Sequence, residues 1–203
     1  MYNQHMQTIL DQHHQRPTQN TITLLQDIAL KQGRVHECAG RARRSFALML
    51  AARTKGPVIW ISPSHIPDQL NPTGMRTFVD PGRFIFTATQ RKEDILWSME
   101  EALRSGSAPL VVADLQHFPS LTPVRRLHLA AETGGTFSSA APIGLLLTPD
   151  DGGAQGVETR WKLEHDTKSD HLGWSLSRTK ARQAPPATWR IVQTTKTAFQ
   201  IAA

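Results

Sequence analysis

The chain has 203 residues, of which 39% are hydrophobic and 20% charged, and its mean hydropathy is −0.36. This composition is typical of one soluble globular domain and excludes a disordered or fibrous chain. No apolar run approaches the roughly 18 residues that a membrane-spanning helix needs. Cys38 is the single cysteine, and the first fifteen residues lack the basic-then-apolar order of a signal peptide, so a cytoplasmic location is the expectation.

The net charge of +6, with a pI near 10.0, is concentrated in two segments. Residues 31–55 carry seven basic side chains against Glu37, and residues 154–203 carry eight against four acidic ones. Concentrated positive charge attracts polyanions, of which nucleic acid is the commonest. A solvated basic face has the same charge pattern. Charge alone therefore leaves both interpretations open.

The first half of the chain predicts an arm, a helix and the start of an α/β pattern. Residues 1–19 are polar and rich in Gln and His, which predicts a flexible N-terminal arm. Leu24, Leu25, Ile28 and Ala29 recur at helical spacing, which predicts an N-terminal helix over residues 20–33 that ends at Gly33. A strand over 34–38, an apolar helix over 45–53, a strand over 58–61 and a Pro- and Gly-rich loop over 62–82 follow.

The alternation of strands and helices continues to residue 149. The pattern predicts strands over 84–88, 110–114 and 143–147, with helices over 90–105 and 123–133 between them. Thr89 is the expected N-cap of the first helix and Gly106 its end, while Thr122-Pro123 is expected to open the second. Alternating elements favour right-handed crossovers, so residues 34–149 are predicted to form a mainly parallel sheet with helices on both faces.

Residues 154–203 change to a period of two. Apolar residues alternate with polar ones in three stretches, which contain Trp161 and Leu163, Trp174 and Leu176, and Trp189 and Ile191. This pattern predicts antiparallel strands with one solvated face, so the predicted fold class is α/β with C-terminal antiparallel strands. The tryptophans could stack on single-stranded DNA, but their regular alternation favours packing in the core.

The segment after the first predicted strand is the place to look for a phosphate-binding loop, because ligands of such sheets bind beyond the carboxyl ends of the strands. It reads Gly40-Arg41-Ala42-Arg43-Arg44-Ser45. A working loop has the pattern G-x-x-x-x-G-K-[ST], in which the lysine reaches the outer phosphates and the hydroxyl holds magnesium. The second glycine and the lysine are absent here, which indicates a degenerate loop.

An ordered set of segments resembles the RecA family of recombinases and, more closely, the ImuA proteins of bacterial DNA-damage mutagenesis. The set consists of Gly33-Arg34-Val35-His36-Glu37 leading to Gly40, Phe46-Ala47-Leu48-Met49-Leu50-Ala51-Ala52, Gly56-Pro57-Val58-Ile59-Trp60-Ile61, and the longer runs 94–106 and 127–135. The resemblance covers residues 20–203 and leaves the arm outside. The SulA group of cell-division inhibitors is a related branch whose members bind no nucleotide.

The resemblance implies a RecA-like core and allows each part of the ATPase to be checked. Asp114 matches the acidic residue on the magnesium side, but Ser62-Pro63-Ser64-His65 stands where an active recombinase has its catalytic glutamate. Thr148-Pro149-Asp150 likewise replaces the phosphate-sensing glutamine. The degenerate nucleotide loop therefore comprises Gly40, Arg41, Arg43, Arg44, Ser45 and Asp114, and the chain is expected to have no ATPase activity, no cofactor and no metal.

The resemblance also implies partners. They are an ImuB-type inactive Y-family polymerase homologue, an error-prone replicative-type DNA polymerase subunit, RecA itself, and DNA contacted through its phosphates. The expected function is that of a non-catalytic accessory protein in translesion synthesis, part of SOS mutagenesis, with a nucleoid-associated location. A SulA-like inhibitor of the division protein FtsZ and a residual DNA-dependent ATPase, the latter suggested by Ser45 and Asp114, are the alternatives.

Two groups of residues are candidates for binding, and a third is interpreted as surface residues. For DNA they are Arg41, Arg43, Arg44, Arg178, Lys180 and Arg182, whose contacts would be to phosphates. RecA-like subunits pair through an N-terminal segment, so Leu24, Leu25 and Ile28 are candidates for partner binding, with packing on the chain's own core as the alternative. His5, His13, His14 and Asp11 lie in a polar arm that lacks the fixed geometry of a metal site, and are interpreted as surface residues.

Overall fold

A computed structural model describes residues 20–26, 28–166, 173–182, 184–195 and 198–202. The predicted arm over residues 1–19 lies outside the described residues. The strands are β1 (Thr21–Leu25), β2 (Ile28–Lys31), β3 (Val35–Ala39), β4 (Val58–Pro63), β5 (Phe84–Thr89), β6 (Leu110–Asp114), β7 (Ile143–Leu147), β8 (Thr159–His165), β9 (Gly173–Ala181), β10 (Ala187–Gln193) and β11 (Phe199–Ile201). The helices are α1 (Arg43–Ala51), α2 (Pro72–Met75), α3 (Lys92–Ser105) and α4 (Leu121–Gly134), with a 3₁₀ turn at Pro81–Arg83.

Nine strands form one sheet in the order β11-β10-β9-β8-β3-β7-β6-β4-β5. The six strands from β8 to β5 in this order are parallel to one another, because helices or long connections carry the chain back between them. Strand β9 is antiparallel to β8, and β10 and β11 continue the antiparallel pairing. The predicted α/β fold class with antiparallel C-terminal strands is confirmed.

The sheet carries a hydrophobic core on each face. One core holds α1, which buries Phe46 through Ala51, together with the β1–β2 hairpin and the buried Trp161 and Trp174. The other core holds α3 and α4, which are amphipathic and bury residues such as Met99 and Leu127. The predicted core positions of Trp161 and Trp174 are therefore confirmed, and Trp189 packs half-buried beside them.

Residues 21–25 and 28–31 form the antiparallel hairpin β1–β2, where a helix over residues 20–33 was predicted. Thr21, Ile22 and Thr23 are β-branched and favour extended backbone. An irregular register between Thr23 and Leu25 lets two consecutive leucines, Leu24 and Leu25, both be buried, and this pair is what imitates helical spacing in the sequence. The prediction of a helix here was wrong because four apolar residues in six positions suit either structure.

Two predicted helix caps were also wrong. Thr89 is the last residue of β5, where it pairs with Pro63 of β4, so α3 begins at Lys92 after the N-cap residue Arg91. Helix α4 begins at Leu121 with Ser120 as its N-cap, which places Thr122 and Pro123 inside the first turn. Gly106 does end α3, in the left-handed conformation with φ of 64°. No helix in the described part of the chain is long and apolar enough to cross a membrane.

Candidate functional site

The turn after β3 is too short to enclose a phosphate. Strand β3 ends at Ala39 and α1 begins at Arg43, so three residues separate them, whereas a phosphate-binding loop has four residues between its two glycines alone. Gly40 has φ of +89°, and a Cβ placed there would lie 2.4 Å from the carbonyl oxygen of Leu163 in β8. Only glycine fits this position, and its function is close packing of the turn against β8.

The backbone amides of this turn are already bonded to the protein itself. The amide of Gly40 donates to the carbonyl of Asp150 at 3.1 Å, and that of Ala42 donates to the carbonyl of Leu163 at 3.0 Å. The amide of Arg41 donates to Oε2 of Glu164 at 3.3 Å. Free amides are what such a turn offers to phosphate oxygens. Here a carboxylate of β8 occupies one of them and carbonyl groups occupy two.

Asp114, at the carboxyl end of β6, is buried and bound to arginine. Nε of Arg44 lies 2.7 Å from its Oδ2, and Nη2 of Arg43 lies 3.8 Å from its Oδ1. Arg44 also donates through Nη1 to Oδ2 of the exposed Asp68 at 2.7 Å, which ties the loop after β4 to α1. Asp114 is 1% exposed, and the two guanidinium groups neutralise its buried charge.

Glu37, in the middle of β3, holds the neighbouring loop in place. It is completely buried, and its Oε1 accepts hydrogen bonds from Oγ1 of Thr148 at 2.7 Å and from the amides of Gly153 and Ala154 at 2.7 and 2.9 Å. Its Oε2 forms an ion pair with Arg160 of β8. Glu37 was not among the predicted site residues, although a carboxylate in the middle of a predicted strand was a usable signal because such a group must be paired when it is buried.

His36 and His128 are two buried histidines on the amino side of the sheet. His36 bonds through Nε2 to the carbonyl of Lys31 at 2.9 Å and through Nδ1 to the hydroxyl of Thr159 at 2.7 Å. Val35 donates its amide to Nδ1 of His128 at 3.2 Å, so that nitrogen carries no proton. Burial is the main cause that lowers the pKa of His36 to about 4 and also lowers the pKa of His128. Both imidazoles are therefore neutral at pH 7.

The candidate DNA-binding arginines do not form one surface. Arg43 and Arg44 are half-buried on Asp114, and Arg41 is exposed beside Glu164. Arg178 lies over the rings of Trp161 and Trp189, 5.8 and 5.2 Å from their centroids, and donates to the carbonyl of Pro185. Lys180 is exposed, and Arg182 lies 3.5 Å from Glu158 near the start of β8, at the other end of the sheet from Arg41.

The three candidate partner-binding residues are in the core. Leu24, Leu25 and Ile28 are 1%, 5% and 0% exposed and pack with α1, so the alternative interpretation, packing on the chain's own core, is the one that the structure supports. Cys38 is buried as well, and burial is the main cause that raises the pKa of its thiol well above the ordinary value. It is a packing residue.

Among the described residues, three of the six large apolar side chains that are exposed lie on the edge strand β5 or beside it. Ile85 and Phe86 are each 54% exposed, and Trp97 of α3, close to this strand, is 60% exposed. Edge strands are usually protected from pairing by charged residues, proline or a bulge. The sequence of β5, Phe-Ile-Phe-Thr-Ala-Thr, contains no charged residue or proline, and its six residues pair with β4 in continuous register.

Comparison with models of known protein families and with curated proteins finds no match to this chain. The structure by itself therefore defines the class: an α/β protein with a mainly parallel sheet, a first turn whose amides are bonded within the protein, and an unprotected apolar edge.

Proposed function

We propose that this chain is a non-catalytic RecA-like accessory protein of DNA-damage-induced translesion synthesis, which acts by binding other proteins. The observation that carries the proposal is the occupied nucleotide position. Glu164 accepts a hydrogen bond from the amide of Arg41, which is an amide that would otherwise bind phosphate. Arg44 forms an ion pair with Asp114, which is the carboxylate that would otherwise lie on the magnesium side. Opening this position for a triphosphate would break these contacts and leave buried charge unpaired.

The loop after β4 supports the absence of ATPase activity. In the RecA-like enzymes that this chain resembles, the activating base is a carboxylate within hydrogen-bond reach of the attacking water. Ser64 and His65 follow β4 directly and are exposed, and the carboxylate further along this loop, Asp68, is ion-paired with Arg44. The arrangement favours a scaffold whose turnover machinery has been replaced by internal ion pairs.

The open edge of β5 is the surface that best suits a partner, and the occupant that fits it is an extended segment of the ImuB-type polymerase homologue. The unpaired main-chain groups of an edge strand select an extended backbone, which adds to the sheet as a further strand. Ile85 lies on the face of α3 and Phe86 on the opposite face, so a partner strand can place alternate apolar side chains on both sides.

Co-elution tests this proposal. The chain and the ImuB-type protein encoded in the same genome are mixed at micromolar concentration and separated by size, and a stable complex is expected. Ile85→Lys and Phe86→Lys place charges on the edge and are expected to abolish co-elution, since lysine is a natural protector of edge strands. Phe137→Lys is the matched control, because Phe137 is 73% exposed on the segment after α4, away from β5.

Failure of the unmodified proteins to co-elute contradicts the proposal. Loss of co-elution in Phe137→Lys as well as in the two edge variants contradicts the assignment of the surface to β5. In the proposed function the complex holds polymerase and accessory factor together at damaged DNA in the bacterial nucleoid, where tethering raises the effective concentration of the partners without new chemistry. The error-prone polymerase subunit and RecA are the further partners in this proposal.

A further inference from the structure

A cavity lies at the carboxyl ends of β4, β5 and β6, separate from the turn that contains Gly40. Its volume is about 240 Å³, and its wall includes His65, Gln90, Lys92, Gln116, His117 and the apolar Ile95. Each of the three strands contributes a loop to it, and the first turn of α3 supplies Lys92 and Ile95. This is the edge at which ligands bind in sheets of this class.

The wall is mainly apolar, and its polar groups favour a negatively charged ligand. Among the residues that line the cavity, all of them in the described part of the chain, there is no aspartate or glutamate. Arg91, which also lines it, is bonded to Asp94, so Lys92 is the lining cation for which the structure shows no ion pair within the described residues. The pKa of His117 is lowered, first by burial and then by the positive charge of Lys92, so the two groups repel each other when both are protonated.

The amides and the apolar part of the wall add selectivity to this charge. Gln90 and Gln116 each offer a donor and an acceptor, which is the combination that pairs with the polar edge of a nucleobase. Ile95 offers an apolar contact for the face of a base. The volume is below the roughly 300–1,000 Å³ of pockets that take drug-sized ligands, which suits a single base with its phosphate at the rim.

We propose that this cavity binds one nucleotide unit, with the phosphate at Lys92 and His117 and the base at Gln90, Gln116 and Ile95. The unit comes either from single-stranded DNA or from a free nucleotide, since both present the same chemistry. The single-stranded DNA source rests on the proposed function, and the free nucleotide does not. The site is distinct from Arg41, Arg43 and Arg44, because Pro63, His65 and the loop after β6 form its wall.

Fluorescence anisotropy of the full chain with a labelled 12-nucleotide oligo(dT), and competition by thymidine monophosphate or adenosine monophosphate, tests the site. Lys92→Ala and His117→Ala are each expected to weaken binding by about tenfold or more, because hydrogen bonds to a charged group are lost. Lys55→Ala and His165→Ala are the matched controls, since both residues are exposed and outside the cavity, and both are expected to leave binding unchanged.

The two kinds of ligand, oligonucleotide and mononucleotide, separate the two possible sources of the nucleotide unit. Binding of the oligonucleotide alone assigns the site to single-stranded DNA, and binding of a mononucleotide assigns it to a free nucleotide. Three results overturn the proposal: no binding of either up to millimolar concentration, equal losses in the control variants, or equal binding of poly-glutamate in place of the nucleotide. Co-elution with the partner uses the β5 edge and is expected to be unchanged in Lys92→Ala, so the two proposals fail independently.

Discussion

Replacement of Glu37 by alanine is expected to lower the free energy of unfolding by about 3–5 kcal/mol, because it removes one partner of a buried ion pair. The substitution leaves Arg160, the hydroxyl of Thr148 and the amides of Gly153 and Ala154 without their acceptor. Glu37→Gln keeps one acceptor oxygen and is expected to have a smaller effect. Urea denaturation followed by circular dichroism measures the free energy of unfolding.

Glu132→Ala is the matched control for Glu37→Ala. Glu132 also pairs with an arginine, Arg34, but its side chain is 47% exposed, and an exposed ion pair contributes at most about 1 kcal/mol. Equal losses of stability in the two variants would contradict the assignment of Glu37 as the residue that fixes the loop from Thr148 to Ala154.

The chain is expected to lose about 3 kcal/mol of stability between pH 6.5 and pH 4 through His36 alone. The pKa of His36 is about 4 in the folded chain, whereas its ordinary value is 6.5. Between these two pH values the unfolded chain is therefore protonated at His36 and the folded chain is not. The stability is complete above pH 6.5 and falls as the pH decreases towards 4. Protonation would also turn Nδ1 from an acceptor into a donor, which requires the hydroxyl of Thr159 to reverse its hydrogen bond.

Urea denaturation at a series of pH values measures this loss. His36→Gln removes one titrating group and is expected to reduce the dependence between pH 6.5 and 4 to the part caused by other groups such as His128, although its stability at pH 7 is lower. His165→Gln, at an exposed position, is expected to keep the dependence of the unmodified chain. A variant His36→Gln with the same acid loss as the unmodified chain would show that other groups cause it.

The strands of the parallel sheet could be predicted because each is a short apolar run with clear limits. Strands β6 and β7 match the predicted residues 110–114 and 143–147, since Pro109 and Pro142 precede them, Asp114 ends the first apolar run and Thr148 follows the second. The hairpin β1–β2 could not be predicted, because the adjacent Leu24 and Leu25 are both buried only through an irregular register that the sequence does not signal. Pairing of Thr89 with β4 is likewise a tertiary effect that overrides capping.

The candidate site was predictable only in part. The missing lysine indicated a degenerate loop, and Asp114 was correctly placed at the end of β6. The groups that fill the loop were not foreseeable, since Glu164 is separated from Arg41 by 123 residues. The exposure of Ile85 and Phe86 depends on β5 being the last strand in the sheet, which is a property of strand order and not of the local sequence.

The claim that the nucleotide position is filled by the protein's own groups is tested most directly by isothermal titration of the full chain with Mg·ATP. The titration is repeated with Lys92→Ala, which is expected to weaken binding in the proposed cavity and therefore separates it from binding at the turn of Gly40. We expect no binding of Mg·ATP at the turn of Gly40 up to millimolar concentration, with or without single-stranded DNA. Magnesium-dependent binding that persists in Lys92→Ala and disappears when Asp114 is changed to alanine would contradict it.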